Sequence, residues 1–246
     1  MDRDREVLAM ARRRLAEFEP QVEFAHGNFR DLPRLLKELG LSQVDGVLLD
    51  LGMSTFQVDQ AERGFSFSKD GPLDMRMDRE QEVRAATLVN ALSTDELAMM
   101  LETLGEERFA NRIARQIVQA RRAQPIATTT QLARLVADAV PSGARHGRLH
   151  PATRTFQALR LAVNDELGAL QQFLEEIGAL LTPGGRLAII AFHSLEDRLV
   201  KQRFARGMRE DVWTVLTKKP VRPTDSEMSQ NPRSRSARLR CVERSP

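Results

Sequence analysis

Apolar residues recur along this chain in two rhythms, and the change from one to the other divides it. Near the start, Val7, Leu8, Ala11 and Leu15 fall at helical spacing, so Asp4 to Phe18 is expected to form an amphipathic helix with Asp2 just before it. Gln21 to His26 then alternates as a short strand, and Leu32 to Leu39 reads as a short helix closed by Gly40. The nearly continuous run from Gln43 to Leu51, with Val47, Leu48, Leu49 and Leu51, predicts a strand buried on both faces of a parallel sheet. Helix, strand, helix, strand is the order found in the middle of a doubly wound sheet.

From Arg79 to Ser142 the strand rhythm disappears. Ser93 with Glu96 and Thr128 with Gln131 are capping-box pairs that start helices near Thr94 and Thr129. Between them, Glu106 to Arg122 carries an apolar stripe of Phe109, Ile113 and Ile117, with Arg108, Arg112, Arg115 and Arg122 on its other side. A helix from Phe156 to Leu167 follows, then a second with Leu170, Leu174, Ile177 and Leu181, which stops at Thr182-Pro183-Gly184-Gly185. The sheet resumes with a strand from Arg186 to Phe192, and a basic helix runs from Leu195 to Arg209. Val212–Leu216 and Ala237–Val242 alternate as two late strands joined by a polar loop, which predicts an antiparallel edge on an otherwise parallel sheet. The expected organisation is a sheet domain in two parts, residues 1–78 and 151–246, interrupted by an all-helical insertion at 79–150.

Composition narrows the class. The 246 residues, 41% of them apolar, suffice for a proper core. No stretch approaches the roughly 18 apolar residues of a membrane span, and Met1-Asp2-Arg3-Asp4-Arg5-Glu6 precedes no signal-peptide core, so a soluble cytoplasmic protein is expected. A single cysteine, Cys241, excludes disulfides within the chain and thiolate-rich zinc sites. The four histidines lack ligand spacing, so no catalytic metal is expected. The net charge of +3 gathers toward the C-terminus, where arginines and lysines from Arg198 onward outnumber the acids. Such a stretch is either a phosphate-contacting surface or a solvated one.

Ligands of open α/β sheets sit beyond the carboxyl ends of the strands. Asp50, closing its strand beside Gly52, is therefore either a chemical group or the cap of the next turn. The segments Leu49-Asp50-Leu51-Gly52-Met53-Ser54, Glu62-Arg63-Gly64-Phe65-Ser66-Phe67, Pro72-Leu73-Asp74-Met75-Arg76-Met77, His150-Pro151-Ala152-Thr153-Arg154, Phe192-His193-Ser194-Leu195-Glu196-Asp197-Arg198 and Asn231-Pro232-Arg233-Ser234-Arg235-Ser236 resemble those of the bacterial family that methylates N4 of a cytidine in 16S ribosomal RNA. The resemblance runs from Asp2 to the C-terminus in the family's order. It implies a Rossmann-like class I methyltransferase sheet with a helical insertion, S-adenosylmethionine as cofactor, and the small ribosomal subunit as partner.

By the same resemblance Asp2 would bind the ribose hydroxyls, Phe29 and Asp50 would flank the adenine and methionine portions, and Gln57 would complete the cofactor site. Asp50 or Ser54 would orient the cytosine amino group, with His193 a second candidate. Phe65, Phe67 or Phe192 would stack on the base. Arg108, Arg112 and Arg154 would contact RNA. The family's first strand and glycine-rich turn would precede the acid matched by Asp2, and here Met1 stands in front of it, which leaves an expected gap in the sheet. The second reading is therefore an rRNA-binding fragment with impaired catalysis, and the third a methyltransferase acting on a small molecule or protein. A homodimer is among the assemblies the sequence allows, and no membrane partner is expected.

Overall fold

The computed structural model describes residues 1–145 and 150–246, with the side chain of Pro20 excepted. Residues 146–149, which the expected insertion includes, lie outside the described residues. The chain divides into two compact units. One comprises residues 1–3, 15–52 and 167–246, and the other residues 4–14 and 53–166.

The first unit holds the sheet: β1 (Val44–Asp50), β2 (Leu181–Ala191), β3 (Trp213–Val215) and β4 (Arg238–Arg244), in the order β1-β2-β4-β3. β1 and β2 are parallel, whereas β4 runs antiparallel to both β2 and β3. This is the expected antiparallel edge. Leu187, Ile189 and Val242 turn toward Leu170, Leu174 and Ile177 of the helix Glu166–Leu180 and Val200, Phe204 and Trp213, all buried in one cluster. The helical repeat and the two-residue strand repeat thus bring their apolar positions to one core.

Two expectations for this unit are corrected. β1 is not buried on both faces: it is an end strand of the sheet, and Leu48 is 67% exposed. Its apolar run reports a strand but not how many neighbours the strand has. Gln21 to His26 forms no strand, because a ladder needs a partner of similar length. Here Asp2 alone pairs with this segment in a single parallel bridge to His26, with Asp2 N–H donating to Ala25 O at 3.2 Å and Gly27 N–H to Asp2 O at 3.0 Å.

The second unit is helical. Thr94–Gly105, Ala110–Arg121, Thr129–Ala139 and Thr153–Asn164 pack through Leu97, Leu101, Ile113, Ile117, Leu132, Val136 and Leu159. Local chemistry sets the starts. Ser93 Oγ accepts from Glu96 N–H while Glu96 returns the bond to Ser93 N–H, and Thr128 Oγ1 accepts from Gln131 N–H. The arginine-faced helix starts later than its apolar stripe suggests, at Ala110, because Glu106 takes a left-handed conformation (φ +48°) that closes the preceding helix.

The first helix, Arg5–Arg14, also belongs to this unit and is shorter than its periodicity predicts. Asp4 caps it, accepting from Glu6 N–H at 3.0 Å. Gly64 (φ +71°) closes a turn where a Cβ would press on the backbone of Pro72 and Asp74. Gly64→Ala combines a left-handed backbone with that clash and is expected to cost about 2 kcal/mol or more, read as a lower urea midpoint. An unchanged midpoint would show that the turn opens freely. No helix among the described residues is long and apolar enough to cross a membrane.

Candidate active site

In the sheet unit the carboxyl ends of β1 and β2 lie side by side. Asp50 is in register with Ile190, and Leu51 N–H donates to Ile190 O at 3.0 Å. Both strands then break. Gly52 takes φ +94°, where its Cβ-less face lies 3.6 Å from the Phe192 ring edge. His193 caps the helix Ser194–Arg209. The partly buried ring of Phe192 and the carboxylate of Asp50 are thereby held beside each other's strand ends. The Asp50 carboxyl keeps its proton above the usual carboxylate range, first because protein partly displaces its water and then because the negative charge of Glu196 acts on it.

Glu196 escapes a residue-by-residue reading of the sequence. It is 2% exposed, its Oε2 accepts from Phe192 N–H at 2.9 Å and from His193 N–H at 3.3 Å, and its Oε1 lies 3.2 Å from His193 Nε2. His193 Nδ1 in turn accepts from Glu196 N–H at 3.4 Å. His193 Nδ1 is thus hydrogen-bonded to the helix start, whereas Nε2 is buried near Glu196 Oε1 without a hydrogen bond. The spacing His193-x-x-Glu196 is a capping box with histidine in place of serine or threonine, which is why the usual cap signature passes over it.

In the same unit, Asp2 is fixed by its bridge to the His26 segment, and Phe29 opens a short 3₁₀ turn capped by Asn28. The Phe29 ring is partly buried and meets Phe173 edge-on at 5.7 Å. Two carboxylates and a half-buried aromatic form a donor set suited to a ligand with hydroxyl groups, an aromatic base and a cationic centre, and S-adenosylmethionine has all three. These residues fit it.

The helical unit places the other expected residues. Ser54 caps the helix Thr55–Asp59, its Oγ accepting from Gln57 N–H at 3.2 Å. Gln57 is 3% exposed, accepts from Ser54 N–H at 2.9 Å and donates to Asp4 Oδ2 at 2.7 Å, so its amide is committed to holding the loop. Phe65 is 6% exposed and sits in the helical core, which leaves it no open face for a base. Phe67 stacks on His150 at 4.6 Å and meets Phe156 edge-on at 4.9 Å. Arg108 and Arg112 are exposed at the start of the helix Ala110–Arg121, with the Arg108 guanidinium over the Phe109 ring. Arg154 is exposed and donates to Glu106 O. Among the described residues no group of histidines, cysteines and acids could hold a metal ion.

A family model described as the MraW methylase family matches residues 1–245. A protein named ribosomal RNA small subunit methyltransferase H from Syntrophotalea carbinolica is 51% identical over 99% of this chain and 82% of its own length. Proteins of the same name from a Cyanothece species and from Halothermothrix orenii are 53% and 45% identical, again over 99% of this chain and over 79% and 83% of their own lengths. Matched by the family model along nearly its whole length and about half identical to these relatives, the chain belongs to the MraW methylase family.

Proposed function

We infer that the chain methylates N4 of a cytidine in the 16S ribosomal RNA of the small subunit, with Asp50 orienting and deprotonating the amino group. The observation that carries this reading is the Asp50 carboxylate, of raised proton affinity, at the end of β1 beside the partly buried Phe192 ring. The chain is an S-adenosylmethionine-dependent methyltransferase, and its relatives' shared name favours an enzyme over a binding fragment. When bound, the cofactor supplies an electrophilic methyl group on a sulfonium. Asp2 would bind its ribose hydroxyls, Phe29 its adenine and Asp50 its cationic end.

A cytosine amino group is a poor nucleophile because its lone pair is conjugated into the ring. Asp50 accepts a hydrogen bond from one N4–H, which localises electron density on nitrogen and aims the lone pair at the methyl group. As the amino nitrogen took up the methyl group that the cofactor would supply, Asp50 would accept the proton that the nitrogen gives up. Phe192 stacks on the base and holds it out of the RNA stack. Ser54, with its hydroxyl at a helix start, is the alternative to Asp50 as the residue that orients the amino group. Gln57 holds the loop that carries Ser54. His193, whose Nδ1 caps the helix that carries Glu196, acts through that residue.

The test is transfer of labelled methyl to small subunits that lack the modification, followed by digestion to nucleosides. N4-methylcytidine is expected, and label in protein, in another base or only in free nucleoside would overturn the reading. Arg108 and Arg112 of the helical segment, together with Arg154 beyond it, would supply RNA contacts. Arg108→Gln with Arg112→Gln is expected to weaken rRNA binding and to flatten its log–log salt dependence by roughly 0.7 per lost phosphate contact. Unchanged salt dependence would remove these arginines from the interface. The substrate would be met in the cytoplasm. Two copies would pair along the open edge of β1, where Leu48 is exposed. Leu48→Lys is expected to lower the apparent mass in sedimentation, and an unchanged mass would exclude that edge.

A further inference from the structure

We propose that Glu196 is a positioning residue of the reaction: its buried carboxylate locks the Phe192–His193 turn against the end of β1 and so sets the stacking ring relative to Asp50. The inference rests on the reading of Asp50 and Phe192 given above, and goes beyond it by assigning the group that holds both.

Three observations carry it. One Glu196 oxygen accepts from two successive backbone N–H groups, of Phe192 and His193, at 2.9 and 3.3 Å, and the other faces His193 Nε2 at 3.2 Å. A carboxylate oxygen bonded to two successive N–H groups of one turn leaves that turn little freedom. The turn in turn carries the Phe192 ring, which lies 3.6 Å from where a Cβ of Gly52 would stand. Two residues before Gly52, at the end of β1, is Asp50, on which the Glu196 charge acts. A residue that only capped the helix Ser194–Arg209 would need neither link.

The other charged groups around Asp50 are already paired or face elsewhere. On β2, Arg186 pairs with Glu243 at 2.9 Å toward the opposite end of the strand. On the helix Ser194–Arg209, Asp197 is held by Arg238 and Arg240 from β4. His193, at the turn itself, accepts from Glu196 N–H through Nδ1 and places Nε2 3.2 Å from the Glu196 carboxylate.

The experiment is a carboxyl carbon-13 NMR titration of the full chain as wild type and Glu196→Gln, with Asp50→Asn to assign the Asp50 signal and circular dichroism to confirm folding. Glu196→Gln removes the charge, so the Asp50 midpoint is expected to move to lower pH. A neutral amide oxygen also grips the two backbone N–H groups less strongly than a carboxylate, so the Phe192 ring signals are expected to shift. Glu196→Asp keeps the charge but is too short to grip the turn. It is expected to leave the Asp50 midpoint raised while moving the Phe192 signals, and it decides the matter alone should Glu196→Gln not fold. In methyl transfer, Glu196→Gln is expected to move the acid limb of the rate profile to lower pH, which loss of a helix cap by itself would not do. An Asp50 midpoint unmoved in Glu196→Gln, or Phe192 signals unmoved in Glu196→Asp, overturns the proposal while leaving the role of Asp50 intact. Full transfer by Asp50→Asn overturns the reading of Asp50 itself, whichever way the midpoint moves.

Discussion

Asp50→Asn is expected to cut methyl transfer to the small subunit by about 10²- to 10⁴-fold, the range for loss of a positioned general base. The substitution keeps the shape at the end of β1 and removes only the carboxylate, so RNA binding should change far less than turnover, while cofactor binding weakens by loss of the contact to its cationic end. The pH dependence follows from the raised proton affinity of this carboxyl, caused by lost hydration and then by Glu196. Below its midpoint Asp50 is protonated and donates where it must accept, so wild-type turnover falls as pH falls through a value above the ordinary aspartate range. An amide has no such midpoint, and the residual activity of Asp50→Asn should be flat across the same interval. Single-turnover rates measured across that interval decide the point, because they report the chemical step without product release. Rates equal to wild type, or an acid limb that survives in Asp50→Asn, would take the proton-accepting role away from this residue.

That Asp50 ends a strand was legible in the apolar run before it, because a strand's existence is written in its own residues. What surrounds the strand was not. The exposure of Leu48 depends on whether a second strand lies alongside β1, and no residue of β1 encodes that. The same limit explains Gln21 to His26, whose alternation is real but whose strand-like pairing among the described residues is the single bridge to Asp2. Helix starts were legible where the cap is a serine or threonine with its partner three residues on, as at Ser93 and Thr128. His193 and Glu196 make the same box with an unusual first member, so the spacing was present and the chemistry was not recognised.

The aromatic residues divide in the same way. Phe65, Phe67 and Phe192 are equivalent as candidates in sequence, yet packing buries Phe65, sets Phe67 against His150 and Phe156, and leaves Phe192 partly buried at the strand ends. Those differences come from tertiary packing.

Arg63→Met is expected to destabilise the chain by about 3–5 kcal/mol, the cost of leaving a buried charge without its partner. An arginine in a loop reads as solvated, but Arg63 is 2% exposed and bonded on every side. Its guanidinium reaches Asp4 Oδ2 at 2.7 Å, the carbonyls of Arg76 and Met77 at 3.0 Å, and Glu6 at 3.3 Å. Asp4 is equally buried, caps the first helix, and accepts from Gln57. Removing the guanidinium therefore strands the Asp4 carboxylate and two carbonyls of the loop that includes Met75, a residue held at φ +63° with Asn164 donating to its carbonyl. Lysine keeps the charge but not the planar fork, so Arg63→Lys should recover only part of the loss. Adding Asp4→Asn to Arg63→Met removes the stranded charge, and the double variant should be more stable than the sum of the two single losses predicts. Urea midpoints of the four proteins measure this coupling. If Arg63→Met costs under about 1 kcal/mol, the typical range for a surface ion pair, then the Asp4–Arg63 contact is not what fixes the loop between Gly64 and Asp78.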